Sequence, residues 1–320
     1  MIRSVRIRGF KCFRDAEFRF PGHAVLTGSN DAGKTTLLQA IASWALALRR
    51  WRELGDFGRR NGYRRAPIAR QALVTVPLRS FDLLWHDRGY RGAIEVELCH
   101  DSGWSVAMEF IPDTTEQIYV RPRRDAPADT LREVDLDAVF IPPMTGVGLA
   151  EPLLMPPKVE QSLGLGRPGE VLRNLLADTC LNEPAWGALQ ATIGTLFGYR
   201  LLRPETDIAD IVADYVRDGS QVRLDITGAG GGFQQVLLLL ALLNTRPGAV
   251  LLLDNPDTHL HPTLQVATYR ELRSAADRYG SQIIATTHSE ALINATEPHE
   301  RIAMKDFRRR PMGSDPLRGT

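Results

Sequence analysis

Residues 23–50 read HAVLTGSNDAGKTTLLQAIASWALALRR: a strand-like apolar run, a glycine-punctuated turn and a helix-like run in direct succession. Within it, GSNDAGKTT (28–36) matches G-x-x-x-x-G-K-[ST] through Gly28, Gly33, Lys34 and Thr35. Glycines let the backbone turn so that successive N–H groups converge on phosphate oxygens. Lys34 is expected to bridge the β- and γ-phosphates of ATP, and the Thr35 hydroxyl to ligate Mg2+. Asn30 and Thr36 complete the expected ATP-binding set. The helix that starts here aims its positive end at the same anion. A chance glycine turn before an amphipathic helix also fits the letters, but the strand before and the helix after are the context a phosphate loop requires.

A phosphate loop needs an acidic partner at the end of a buried strand, and LLLDNPDTHLHP (251–262) supplies one in Asp254, the expected magnesium ligand. The preceding AVLLLL has the unbroken apolar character of a strand covered on both faces. Further on, SQIIATTHS (281–289) places His288 just past a second such strand, at a sheet edge suited to sensing a γ-phosphate. Asp254 and Asp257 could instead pair as a nuclease metal site, but their place after a buried strand favours nucleotide magnesium.

The order of these motifs resembles the ABC-type ATPase heads of the SMC and RecF class, and most of all the OLD-like AAA-family ATPases of bacterial defence. The resemblance rests on SVRIRGFKCFRDAEFRFPGHAVLTGSNDAGKTTLLQAI, the turn TGAGGGFQQVL (227–237), LLLDNPDTHLHP and ATTHSEAL. It is specific over 1–40 and 225–295. It implies an α/β P-loop head with a mostly parallel core sheet, an antiparallel β lobe, a helical lobe and, without a sustained heptad pattern, no coiled-coil arm. It also implies that two heads sandwich ATP, each presenting its glycine-rich signature to the other's phosphate loop. Aligned this way, Gly230, Gly231, Gly232 and Gln234 form the signature, with Gly230 where a serine is usual. A shifted register would bring in Thr227 or Gln234, and a plain flexible loop before a core helix is the alternative.

Asn255 departs from the family in the same fashion. There, a glutamate orients and deprotonates the attacking water; an amide can orient water but accepts no proton near neutral pH. Slow hydrolysis and a long-lived ATP state are expected, with Asn255, Asp257 and His288 as the catalytic candidates. Asp257 would have to reach across a two-residue shift to stand in as base.

The remaining chain sets the surroundings. Hydrophobic residues make up 43% and charged residues 24% of 320, with a net charge of +1, so a nucleic-acid site would have to come from local clustering. Cys12, Cys99 and Cys180 form no CxxC pair, which argues against structural zinc and fits a reducing cytoplasm. No secretory leader is visible, and the longest apolar run falls far short of the ~20 residues of a membrane span. The expected layout is one head: a β lobe with the phosphate loop and its helix (1–48 and 93–121), an arginine-rich insertion (49–92), a helical lobe (123–245), a core with Asp254 and His288 (246–295) and a tail (296–320).

Residues 49–70 hold eight arginines against two acids, with Trp51, Phe57 and Tyr63 interleaved. Arg59, Arg60, Arg64 and Arg65 are the nucleic-acid candidates, with the aromatics as stacking platforms, or the stretch is a solvated face. Many OLD-like proteins continue into a TOPRIM nuclease. Only 32 residues follow His288, fewer than the roughly 50 a domain needs, so an effector is expected in trans. The expected function is an ATP-gated sensor or scaffold in nucleic-acid surveillance and antiphage defence. A RecF-like repair ATPase and a subunit of a protein-only complex are the alternatives.

Overall fold

Alternation in SVRIRGF becomes strand β1 (Ile2–Phe10), in which Val5 and Ile7 are buried. It turns into β2 (Phe13–Arg19), with Val5 opposite Phe18 and Ile7 opposite Ala16. Strand β3 (Ala24–Thr27) leads through the phosphate loop into α1 (Lys34–Arg52). There follow β4 (Ala66–Ala69), β5 (Ile94–His100), β6 (Ser105–Pro112), β7 (Gln117–Pro122), α2 (Ala128–Glu133) and β8 (Ala138–Ile141). Next come α3 (Pro156–Gly164), α4 (Leu172–Thr179), α5 (Glu183–Phe197), then β9 (Tyr199–Leu201), β10 (Asp214–Arg217) and β11 (Leu224–Asp225). The last stretch is α6 (Gly231–Thr245), β12 (Val250–Leu253), α7 (Pro262–Arg278), β13 (Gln282–Thr286), α8 (Glu290–Ala295) and β14 (Arg301–Ala303). The computed structural model describes residues 1–58, 62–73, 75–89, 92–143, 146–207 and 209–305.

These strands make an antiparallel sheet, β2-β1-β5-β6-β7-β4, a core sheet, β14-β3-β13-β12-β8, and a small antiparallel sheet, β11-β10-β9. All four pairings within the core sheet are parallel. The β12 run is apolar at every position because both of its faces are covered. Val250 and Leu252 pack in one core with α1 and the antiparallel sheet; Leu251 and Leu253 pack in another with α4, α6 and α7. Parallel strands place their carboxyl ends at one edge, so β3, β12 and β13 deliver the phosphate loop, Asp254 and His288 to the same side. Among the described residues no helix exceeds the 19 residues of α1, no coiled-coil arm is seen, and none is long and apolar enough to cross a membrane.

Some sequence boundaries move. The expected arginine-rich insertion is built into the neighbouring elements: α1 runs on to Arg52, and Ala66–Ala69 adds β4 to the antiparallel sheet, Ile68 opposite Ile118. Its aromatics face inward: Trp51 and Tyr63 are buried, and the Trp51 ring meets Phe57 at 5.2 Å and Tyr63 at 5.3 Å. Trp51 Nε1 donates to the Arg64 carbonyl and Tyr63 Oη to that of Ala126. They are core anchors, which removes them as stacking platforms. The expected helical lobe also contains β8, an edge strand of the core sheet, and the expected tail contributes the opposite edge, β14. QVRLDITG (221–228) reads as one strand by its alternation, yet Leu224–Asp225 alone pairs, before a 3-10 turn at Ile226–Gly228.

One side chain bolts the two large sheets together. Gln282 at the start of β13 accepts from the Ile2 N–H at 2.7 Å and donates to the carbonyls of Ile2 at 3.0 Å and Gly22 at 2.6 Å. Gln282→Leu strands these groups where water cannot replace the amide, at a cost of about 2–3 kcal/mol. Urea unfolding should register that loss, and a variant as stable as the parent would refute the bolt.

Candidate nucleotide site

The phosphate loop is shaped by what crowds it. Gly33 sits at φ 86°, and a Cβ there would lie 2.8 Å from Phe13 Cζ and 2.9 Å from Cys12 Sγ, in the β1–β2 turn. Glycine meets both demands, the left-handed backbone and the close approach. Lys34 follows, 6% exposed, its Nζ donating to the carbonyls of Gly28 at 2.9 Å and Ser29 at 2.8 Å. Burial pushes the Lys34 ammonium below its usual pKa, while the carboxylates of Asp254 and Asp31 oppose that shift. The loop thus keeps a cation in place, its hydrogen-bond partners among the described residues being backbone oxygens.

Asp254 closes the other side. It is 7% exposed and accepts from Thr35 Oγ1 at 3.0 and 3.1 Å and from Thr286 Oγ1 at 2.7 Å. Thr286 in turn accepts the Asn255 N–H at 2.9 Å, and the Asn255 amide donates to Asp254 at 3.3 Å. The hydroxyl and carboxylate that meet here are hard oxygen donors of the kind magnesium takes, with its remaining positions left for water and phosphate. They fit Mg2+.

A cavity of about 320 Å³ is lined by Asn30, Gly33, Lys34, Thr35 and Thr36 from the loop and by Asn255 and exposed His288 from the core sheet edge. Gly28 adjoins it through its carbonyl on Lys34. Cys12 and Asp31 line it too, and the sequence did not single them out. Asp31 was readable as part of the loop; Cys12 arrives through a hairpin whose approach to Gly33 no local pattern announces.

Asp257 lies apart from this cavity. Its Oδ2 accepts from Thr287 Oγ1 at 2.9 Å, its buried Oδ1 has no hydrogen-bond partner among the described residues, and it lines a neighbouring cavity of about 520 Å³. Asn255 and His288 border both cavities.

The glycine-rich turn is likewise outside its own chain's phosphate cavity. Gly230 caps α6, which begins at Gly231. A Cβ on Gly232 would lie 2.6 Å from Leu260 Cδ2 and 2.7 Å from the His259 carbonyl, so close packing on the HLHP segment dictates that glycine. Gln234 is buried, its amide donating to the carbonyls of Ile226 at 3.0 Å and of Thr227 and Ala229 at 3.2 Å. Its amide braces the turn. Among the arginines, Arg64 and Arg65 are exposed, whereas Arg59 and Arg60 lie outside the described residues.

Asn255 has a backbone role besides. It stands at φ 49°, in the left-handed region that asparagine tolerates better than most residues. Asn255→Gly should match the parent in urea unfolding, while Asn255→Glu should lose about 1 kcal/mol to left-handed strain. Equal stabilities for glutamate and glycine would show that the backbone sets no preference here.

Residues 4–69 match a family model described as an AAA domain, and residues 164–294 one described as an AAA domain, putative AbiEii toxin, Type IV TA system. No curated protein matches. The fold is that of an Smc head bound to the C-winged helix domain of ScpA, at 14% identity and a TM-score of 0.59, over 96% of this chain and 95% of that one. A Pyrococcus furiosus Smc head with an extended coiled coil, bound to the C-terminal domain of ScpA, superposes at 14% identity and 0.56, over 96% and 94%. Two stretches of the chain are thus similar to AAA domains, and the chain has the fold of an SMC head.

Proposed function

We propose that this head binds ATP with magnesium and uses it as a slowly cleaved link between two heads, in a homodimer or higher oligomer. Lys34, now donating to two backbone carbonyls, would contact the phosphates, and Thr35 and Asp254, now hydrogen-bonded to each other, would hold the cation. Magnesium would supply positive charge at the phosphate oxygens. His288 borders the cavity on the far side, where a γ-phosphate sensor is needed. Gly230, Gly231 and Gly232, outside their own chain's cavity, serve the nucleotide of the second head.

The observation that carries the slow step is Asn255, an amide on the cavity wall in the position where related ATPases carry their base. Asp257 is turned to Thr287 instead. The cellular role we infer is nucleic-acid surveillance in antiphage defence, with an effector in trans. The toxin–antitoxin description of the match over 164–294 supports the defence setting, and Smc heads bound to ScpA support a head that acts through a partner. A second reading, an ATP-dependent subunit of a protein-only complex, gains from the inward packing of Trp51 and Tyr63, which leaves Arg64 and Arg65 without stacking partners from that stretch.

Lys34→Ala should abolish binding of a fluorescent ATP analogue with the fold intact. In single-turnover assays Asn255→Glu should speed hydrolysis about 10²-fold, the low end for a positioned base because glutamate is strained at this φ. Brisk turnover by the parent that only Asp257→Ala stops would make Asp257 the base and end the slow-link reading.

Replacing Arg64 and Arg65 with alanine separates the two settings. Each lost phosphate contact should lower the log–log salt slope of nucleic-acid binding by about 0.7–0.9. An unchanged slope, or no binding by the parent, favours the protein-only complex.

A further inference from the structure

The glycine-rich turn is held by an ion pair, its arginine buried, that the nucleotide chemistry does not itself require. Arg173 in α4 is 1% exposed, among the most buried large side chains of the molecule. Its Nη2 donates to both oxygens of Asp225, at 2.9 and 3.1 Å, and its Nε to the Ile211 carbonyl at 3.0 Å. Asp225 is the residue at which the chain enters the turn: the same Oδ1 accepts the Thr227 N–H at 2.8 Å and its hydroxyl at 2.6 Å. Behind Arg173, buried Glu151 accepts the backbone N–H groups of Arg173 at 2.9 Å and Asn174 at 2.7 Å, fixing the start of α4. A charge removed from water in this way is costly unless fully paired.

The turn has reason to need such a hold. Gly228 and Gly230 have open space where a side chain would be, so packing does little to confine the backbone there. Backbone N–H groups stabilise an anion best when they are already aimed before it arrives. Two braces supply that aim: Arg173 through Asp225 at the entry, and the Gln234 amide on the carbonyls of residues 226, 227 and 229 at the exit.

We propose that Arg173 and Asp225 are positioning residues for the glycine-rich turn, setting its N–H groups for the nucleotide of a second head. This rests on the head-pairing reading above. The consequence is a defect in trans: an unbraced head still binds ATP in its own loop but presents a poor turn to its partner.

The test uses Asp225→Asn and Arg173→Met, the first chosen because Asp225 is half-exposed. Binding of a fluorescent ATP analogue should stay within 2-fold of the parent, whereas ATP-driven pairing, read by light scattering, should weaken at least 10-fold. Mixing Asp225→Asn with Lys34→Ala should restore pairing, since one variant offers a sound loop and the other a sound turn. Lost ATP binding in Asp225→Asn, parent-like pairing, or no recovery in the mixture would each overturn the proposal. Amide hydrogen exchange over residues 226–232 decides the bracing without any pairing. It should quicken at least 10-fold in Asp225→Asn, and unchanged exchange overturns the proposal. If the parent itself fails to pair with ATP while exchange quickens, the head-pairing reading falls and the trans role falls with it.

Discussion

A carboxylate drawn almost wholly out of water has to find donors, and those of Asp254 come from separate reaches of the chain. Thr35 belongs to the helix after β3, Thr286 to the end of β13 and Asn255 to the turn that follows β12. Their convergence requires β3, β13 and β12 to lie side by side, parallel and in one register. The rest of the site follows from that: Lys34 is held in the loop by the Gly28 and Ser29 carbonyls, and Asn255 and His288 become a shared wall. In the proposed function, magnesium and phosphate would take over contacts that Thr35 and Lys34 make within the chain.

Asn255 serves two masters. In the proposed function its side chain withholds a proton acceptor; as a backbone unit it fills a left-handed position and ties its N–H to Thr286. The two demands pull against each other in any attempt to recover a glutamate, because the residue that suits the chemistry is poorly suited to the turn. Asp257, with one oxygen unpaired among the described residues, lines the next cavity instead.

What was legible in the sequence was what is local. The phosphate loop is a strand, turn and helix in one run of residues, and β12 and β13 announce themselves by unbroken apolar runs. The short strands were not legible. Ala66–Ala69, Ala138–Ile141 and Arg301–Ala303 are three or four residues long, and distant partners rather than their own pattern make them strands. Trp51 and Tyr63 were misread for a related cause: arginines beside aromatics suggest a binding face, yet only the tertiary packing says which way the rings point. The Arg173–Asp225 pair left no signal, since 52 residues separate its members.

The position of β3 has a bearing on synthesis. Its two neighbours in the core sheet are β13 and β14, drawn from residues 282–303. The antiparallel lobe can zip up from the first 122 residues as they emerge, but the strand that carries the phosphate loop must wait for the far end of the chain. Such distant pairings are slow to form and leave edges open meanwhile. A nascent chain halted before residue 282 would therefore hold every letter of the loop and neither strand that supports it. Placement of Gly28, Lys34 and Thr35 therefore depends on residues about 250 positions downstream of the loop.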